Sequence, residues 1–399
     1  MSSFPGALIR RERLRQNWSQ EGLCSGICAV SYLSKIEQGK VRAGDDILLP
    51  LLARLGIQYE TNPAFLTQAG EIIDQLYEDM YDGLSLLDLP EDHLASLEER
   101  RERLLASPYM LDTLLLERLF LRHPPDTSLQ EFVPCMTGRQ YELHLLLRLL
   151  EGDEQAAEDL LRLHPCGFFS CQEGIRLYQA GKNLEAAELL SRAYLLAAQE
   201  GRVHLMFIAK TYLGNCCCDI GRLELMREHY RAARKLGRAL GDQGPALDDI
   251  DYNEATTYLE WGMAEEGLGM LRRLERDDAL YFHKLAIALE KFGRTEEALA
   301  AVERGRAAPC YAPAAPLMGE MLDLVEYRLR HPGYLRDGIY APLMTETFAR
   351  IRRELPMGYA RFHLSYMLEV LEAERRYKDA YRLMAEFSDL GAKTGLQWT

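Results

Sequence analysis

The sequence contains no run of eighteen or more apolar residues, so no stretch of it reads as a membrane-spanning helix. Its opening, MSSFPGALIRRERLRQ, lacks the apolar core of a signal peptide, and a cytoplasmic location is expected. No C-x2-C pair is matched by a second one, and G-x-x-x-x-G-K, H-E-x-x-H, G-x-S-x-G and G-x-G-x-x-G are all missing. The best-known phosphate, zinc, serine-hydrolase and dinucleotide motifs are thus absent. The expectation is a chain that is not an enzyme and uses no cofactor or metal. Nine cysteines, three of them consecutive at Cys216, Cys217 and Cys218, make no disulfide framework and read as small apolar thiols.

What is present is a chain of 399 residues, 48% hydrophobic and 27% charged, long enough for two or three globular domains. The net charge is −14, unevenly spread. Residues 1–60 hold eight Lys/Arg against six Asp/Glu, so the remainder carries −16. A wholly acidic chain repels nucleic acid, but a small cationic head on an acidic body can still bind it.

Within that head the apolar residues recur every three to five positions, as short amphipathic helices require. Ser19 stands at an N-cap position ahead of Gln20 and Glu21. Gly26 and Cys28-Ala29 predict a tight turn. A second helix from about Val30 buries Leu33 and Ile36 and stops at Gly39. The expected unit is a helix-turn-helix domain over residues 1–60. Pro50, inside DDILLPLLARLG, requires the next helix either to start after Asp45 or to kink.

The stretch SQEGLCSGICAVSYLSKIEQGK resembles the DNA-binding head of Cro-type repressors, and most of all that of the Rgg/PlcR/NprR peptide-pheromone regulators. Gly26, Ile27, Cys28, Ser31, Tyr32, Leu33, Ser34, Lys35, Ile36 and Glu37 match that group's pattern; Ala29 departs from its usual serine. The resemblance covers about sixty residues. With Leu33 and Ile36 inside, Val30, Ser31, Tyr32, Ser34 and Lys35 face outward, where Ser and Lys can bond base edges and Val30 can meet a thymine methyl. Gln20 is expected on phosphate, with Arg10, Arg11, Lys40 and Arg42 as charge contacts.

Residues 61–105 read as a helical linker. From about 106 to 399 the chain reads as a tetratricopeptide-like solenoid, clearest over 168–307 and 358–395. Turns are expected at Gly181, Gly221, Gly262, Gly293 and Arg375, spaced 40, 41, 31 and 82 residues apart, with a degenerate repeat near 310–357. Nine residues before each turn stand Gln172, Tyr212, Asn253, Lys284 and Tyr366, with Asn215 and His283 beside them. These seven are the candidate peptide-binding residues, since asparagine offers a peptide backbone both a donor and an acceptor. The acidic body suggests a groove for a basic or free-amino peptide.

The combined expectation is an all-α, homodimeric regulator that binds a double-stranded operator and is controlled by a short signalling peptide. The alternatives are a solenoid adaptor for a response regulator or other protein, and a repressor with no peptide ligand.

Overall fold

The computed structural model describes residues 4–83, 91–121, 127–241, 244–310, 314–355 and 357–392. These residues form helices and their connections, in two compact units, Met1–Phe169 and Ser170–Thr399.

The first unit opens with α1 (Phe4–Arg15), α2 (Gln20–Cys24), α3 (Val30–Glu37) and α4 (Asp45–Arg54). Leu8, Ile9, Leu23, Leu33, Ile36, Leu51 and Leu52 fill their common core. The Ser19 hydroxyl caps α2 by accepting from the Gly22 amide. Gly26, at φ +72°, makes the turn that follows. Helix α1 crosses α3 at Gly6, where a Cβ would lie 2.0 Å from the Ile36 carbonyl oxygen, so only glycine permits this approach. Helix α4 starts at Asp45 and runs through Pro50. Asp46 and Pro50 are both exposed, so water can take the hydrogen bond that proline cannot make.

The unit continues with α5 (Pro63–Tyr81), α6 (Glu91–Glu99), α7 (Arg101–Leu105), α8 (Met110–Phe120), a 3-10 segment Thr127–Cys135, α9 (Gly138–Leu150) and α10 (Glu154–Leu163). Asn62 caps α5 at the Ala64 and Phe65 amides, and Pro63 supplies its first turn. The described part of the expected linker thus folds into three helices, tied to the end of the head segment at Glu60. Arg103 donates to Glu60 at 2.8 Å and lies 3.8 Å over the Phe65 ring. Phe132 is buried 5.5 Å from Phe4. The two units part at Phe169.

The second unit is a solenoid-like stack: α11 (Gly167–Gln179), α12 (Asn183–Glu200), α13 (Val203–Asp219), α14 (Leu223–Ala239), α15 (Gly244–Glu260), α16 (Ala264–Leu271), α17 (Ala279–Lys291), α18 (Thr295–Ala307), α19 (Ala315–Arg330), α20 (Tyr340–Glu354), α21 (Met357–Ala373) and α22 (Tyr377–Ala392). One device turns five of its helix pairs. Gly181, Gly221, Gly262, Gly293 and Arg375 all have positive φ. At each, the turn residue's amide returns to the carbonyl three residues back, and the next amide to the carbonyl five back, as in Lys182 to Leu177 and Arg376 to Leu371. Small residues let the paired helices touch: a Cβ on Gly214 would lie 2.2 Å from Tyr230, and Ala186, Ala193, Ala233, Ala286 and Ala298 are fully buried. The short 31-residue spacing arises because α16 has only eight residues where α14 has seventeen. Helices α19 and α20 supply the degenerate repeat. The architecture is all-α, with repeat-like helix pairs of tetratricopeptide type.

Candidate functional site

Helices α13, α15, α17 and α21 line two adjoining cavities in the second unit, of about 340 and 180 Å³. The smaller is polar. Asn253 Nδ2 donates to Asn215 Oδ1 at 3.3 Å, and Tyr230 Oη donates to the same oxygen at 2.7 Å. This fixes the Asn215 carbonyl inward and leaves its amide nitrogen and the Asn253 carbonyl for other partners. The larger is walled by Leu259, Ile287, Phe362, Leu368, Met384 and Phe387. Asp219 and Glu260 border both.

Of the seven candidate residues, Asn215, Asn253, Lys284 and Tyr366 line these cavities. Lys284 is 6% exposed with Nζ 2.9 Å from the centroid of the Phe362 ring, and burial lowers its ammonium to about 7 against the pull of Glu260. Tyr366 packs under the Arg328 guanidinium at 4.0 Å. Gln172 and His283 are buried away from the cavity walls, and half-buried Tyr212 sits edge-on to Tyr178 at 5.6 Å. His283 is fully enclosed, stacked 5.3 Å from His363, with neither ring nitrogen bonded. Of the positions nine residues before a turn, those of Asn253, Lys284 and Tyr366 lie at a cavity wall and that of Gln172 lies in the interior.

Sequence reasoning missed Asp219, Glu260 and Lys291, which stand two residues before Gly221, Gly262 and Gly293. A signal existed: they are seven residues after Tyr212, Asn253 and Lys284, two helical turns along the same face. It also missed Arg361. The expectation of an acidic groove does not hold, because Asp219 and Glu260 meet Lys284, Lys291 and Arg361 in one place. Glu260 is solvent-exposed but hemmed in by the groove walls; this crowding first, and the Asp219 charge next, raise its carboxyl.

In the first unit, Val30, Ser31 and Lys35 of α3 are exposed, and Tyr32 and Ser34 are half-buried, with Ser34 Oγ accepting from Gln38. Arg10, Lys40 and Arg42 are exposed, whereas Arg11 lies 4.7 Å over Phe132 and pairs with Glu12. Gln20 is turned inward: its amide donates to Glu37 at 2.7 Å. Glu37 is buried and takes a bidentate pair from Arg13, at 2.6 and 2.9 Å. The Glu of the matched motif therefore clamps α1, α2 and α3 together. Ala29, a change that looked like a detail of the turn, is the N-cap of α3 and offers no side-chain acceptor. Arg54, unremarked in the sequence, caps the end of α2 by donating to the Leu23 and Ser25 carbonyls at 2.8 and 2.6 Å.

All nine cysteines are free. Among the described residues no three His, Cys, Asp or Glu side chains gather as a metal set, and no helix is long and apolar enough to cross a membrane.

No family model and no curated protein matches the sequence. Solved structures do. A Rap protein complexed with competence and sporulation factor superposes with a TM-score of 0.61 at 15% identity, over 82% of this chain and 98% of that one. The Rap conjugation gene regulator of plasmid pLS20, in complex with a Phr peptide, gives 0.51 at 14%, over 82% and 99%. PlcR of Bacillus thuringiensis, in complex with the peptide PapR7 and DNA, gives 0.28 at 15%, over 76% and 92%, too low to carry an argument. At these identities the two stronger matches show the fold alone: this chain has the helical-repeat architecture of the Rap proteins.

Proposed function

We propose that this chain is a regulator whose second unit binds a short signalling peptide and whose head, as part of a homodimer, binds a double-stranded DNA operator. The observation that carries the peptide reading is the groove: a fixed Asn215–Asn253 pair beside an apolar cavity large enough for bulky side chains. Asparagines grip an extended backbone whatever its sequence, and the cavity selects among side chains. The Rap structure at TM-score 0.51 was solved with a peptide.

The head reading rests on α3. Its inner face is locked by Leu33, Ile36 and the Glu37 clamp, leaving Val30, Ser31 and Lys35 free to meet base edges. The element α2–turn–α3 has the length and exposure of a helix-turn-helix reader. Peptide controls such a dimer only if it prefers one of two arrangements.

A second reading is favoured by the fold likeness, which is to Rap proteins rather than to the group the head motif resembles. On that reading the chain is a peptide-controlled adaptor that holds a protein partner. The two separate in one experiment. The full chain is titrated onto fragments of its own promoter region at several salt concentrations, with and without a synthetic pentapeptide mixture. Salt-sensitive binding that peptide alters supports the DNA regulator. No salt-sensitive binding to any fragment removes it, and recovery of a response regulator on the immobilised chain then establishes the adaptor.

A further inference from the structure

Many charges of the second unit are tied in ion pairs. Arg234 bonds Asp251 and Glu254, Arg328 bonds Glu290, and Arg306 bonds Asp323 and Glu326. The groove breaks that habit. Glu260 of α15, Lys284 of α17 and Arg361 of α21 border its cavities, and among the described residues none has an ion-pair partner within 4.0 Å. The Arg361 Nε is buried without any hydrogen-bond partner. These groups feel one another's fields, since Lys284 and Arg361 both act on Glu260, yet the helices hold them apart. An uncompensated charge in a crowded site is costly, and unlike charges this near would pair if the backbone allowed it. The larger cavity, which Glu260 and Arg361 both border, has mainly apolar walls.

We propose that the groove is built for a ligand carrying both signs of charge, with a cationic group placed on Glu260 and Asp219, a carboxylate placed on Arg361 and Lys284, and a bulky apolar side chain in the larger cavity. This rests on the peptide reading above and narrows it: the peptide is zwitterionic, not basic. The cation is an N-terminal amine or a Lys or Arg side chain; the anion is a C-terminal carboxylate or an acidic side chain.

The test is affinity selection on the immobilised full chain. Equimolar random pentapeptides are offered in free, N-acetylated and C-amidated forms, and the retained pools are read by mass spectrometry. The expected pool is rich in Leu, Ile or Phe and carries both a cation and a carboxylate. Acetylation depletes it about tenfold if the amine is the cation, and otherwise shifts it towards Lys and Arg. Amidation acts likewise on the carboxylate. Glu260→Gln abolishes the preference for a cation and keeps that for a carboxylate; Arg361→Met does the reverse. Peptides retained with no charge preference, or with one that neither variant moves, overturn the proposal while leaving peptide binding in place. A wild-type chain that retains nothing above a blank column overturns the peptide reading and this proposal together.

Discussion

Ala29 shows how one atom decides a local free energy. As the N-cap of α3 it leaves that helix's first amides without a side-chain acceptor, although its φ of −73° and ψ of 146° are those a capping serine adopts. Ala29→Ser is expected to stabilise the head by about 1 kcal/mol, read as a higher urea midpoint at unchanged slope. His363 acts through its proton. It is 2% exposed, donates from Nδ1 to the Tyr359 carbonyl at 2.8 Å, and burial lowers it to about 3, with Lys284 and Arg328 opposing its charge. A histidine whose folded value lies below its unfolded one binds fewer protons when folded. Its contribution is full above the unfolded value and is lost as pH falls towards the folded one. Stability should drop between pH 6.5 and 5, by up to about 1.4 kcal/mol per pH unit for each such group. His283, lowered by the same burial, adds to the drop. His363→Phe should flatten the decline in urea midpoint; an unchanged decline would exclude His363 as its source.

At the scale of elements, the repeated turn is the unit of construction. Four of its five positive-φ positions are glycine and the fifth is Arg375, at φ +59°. A side chain there costs about 1 kcal/mol, so Arg375→Gly is expected to raise stability by roughly 0.5–1 kcal/mol. Gly221→Ala should behave oppositely and more strongly. Its Cβ would meet the same backbone cost and also lie 2.2 Å from the Trp261 ring, so a loss of roughly 2 kcal/mol or more is expected in chemical denaturation. Equal effects at the two sites would show that backbone conformation alone matters. The turns were legible because glycine at the end of a periodic run has few other uses. The groove was less legible. Periodicity placed Asn215, Asn253 and Lys284 on its face, but His283, one residue from Lys284, is in the core. Adjacent residues on a helix point about 100° apart, and only the neighbouring helix decides which of them meets solvent.

For the whole molecule, the relevant fact is where the charge lies. The chain carries −14, yet its first sixty residues are slightly positive and its groove holds both signs. A head on such a body should bind DNA weakly at high salt and be sensitive to each cation it presents. On the proposed DNA-binding reading, Lys35→Ala is expected to weaken binding of the full chain to an operator by about 1–3 kcal/mol and relax sequence preference. Arg42→Ala should lower the salt slope by about one while leaving preference intact. Fluorescence anisotropy across a salt series distinguishes them, and identical behaviour of the two variants would count against α3 as the reading helix.

By itself the sequence determined the helices, their five repeat turns and the outward side of α3, because capping, glycine at positive φ and 3.6-residue periodicity act between residues close along the chain. Tertiary structure alone decided that Gln20 turns in to Glu37, that Phe132 packs on Phe4, and that Asp219, Glu260, Lys284 and Arg361 meet in one groove. Those outcomes join residues up to about 140 positions apart. Burial and unpaired charge are properties of the space between helices, which no local pattern encodes.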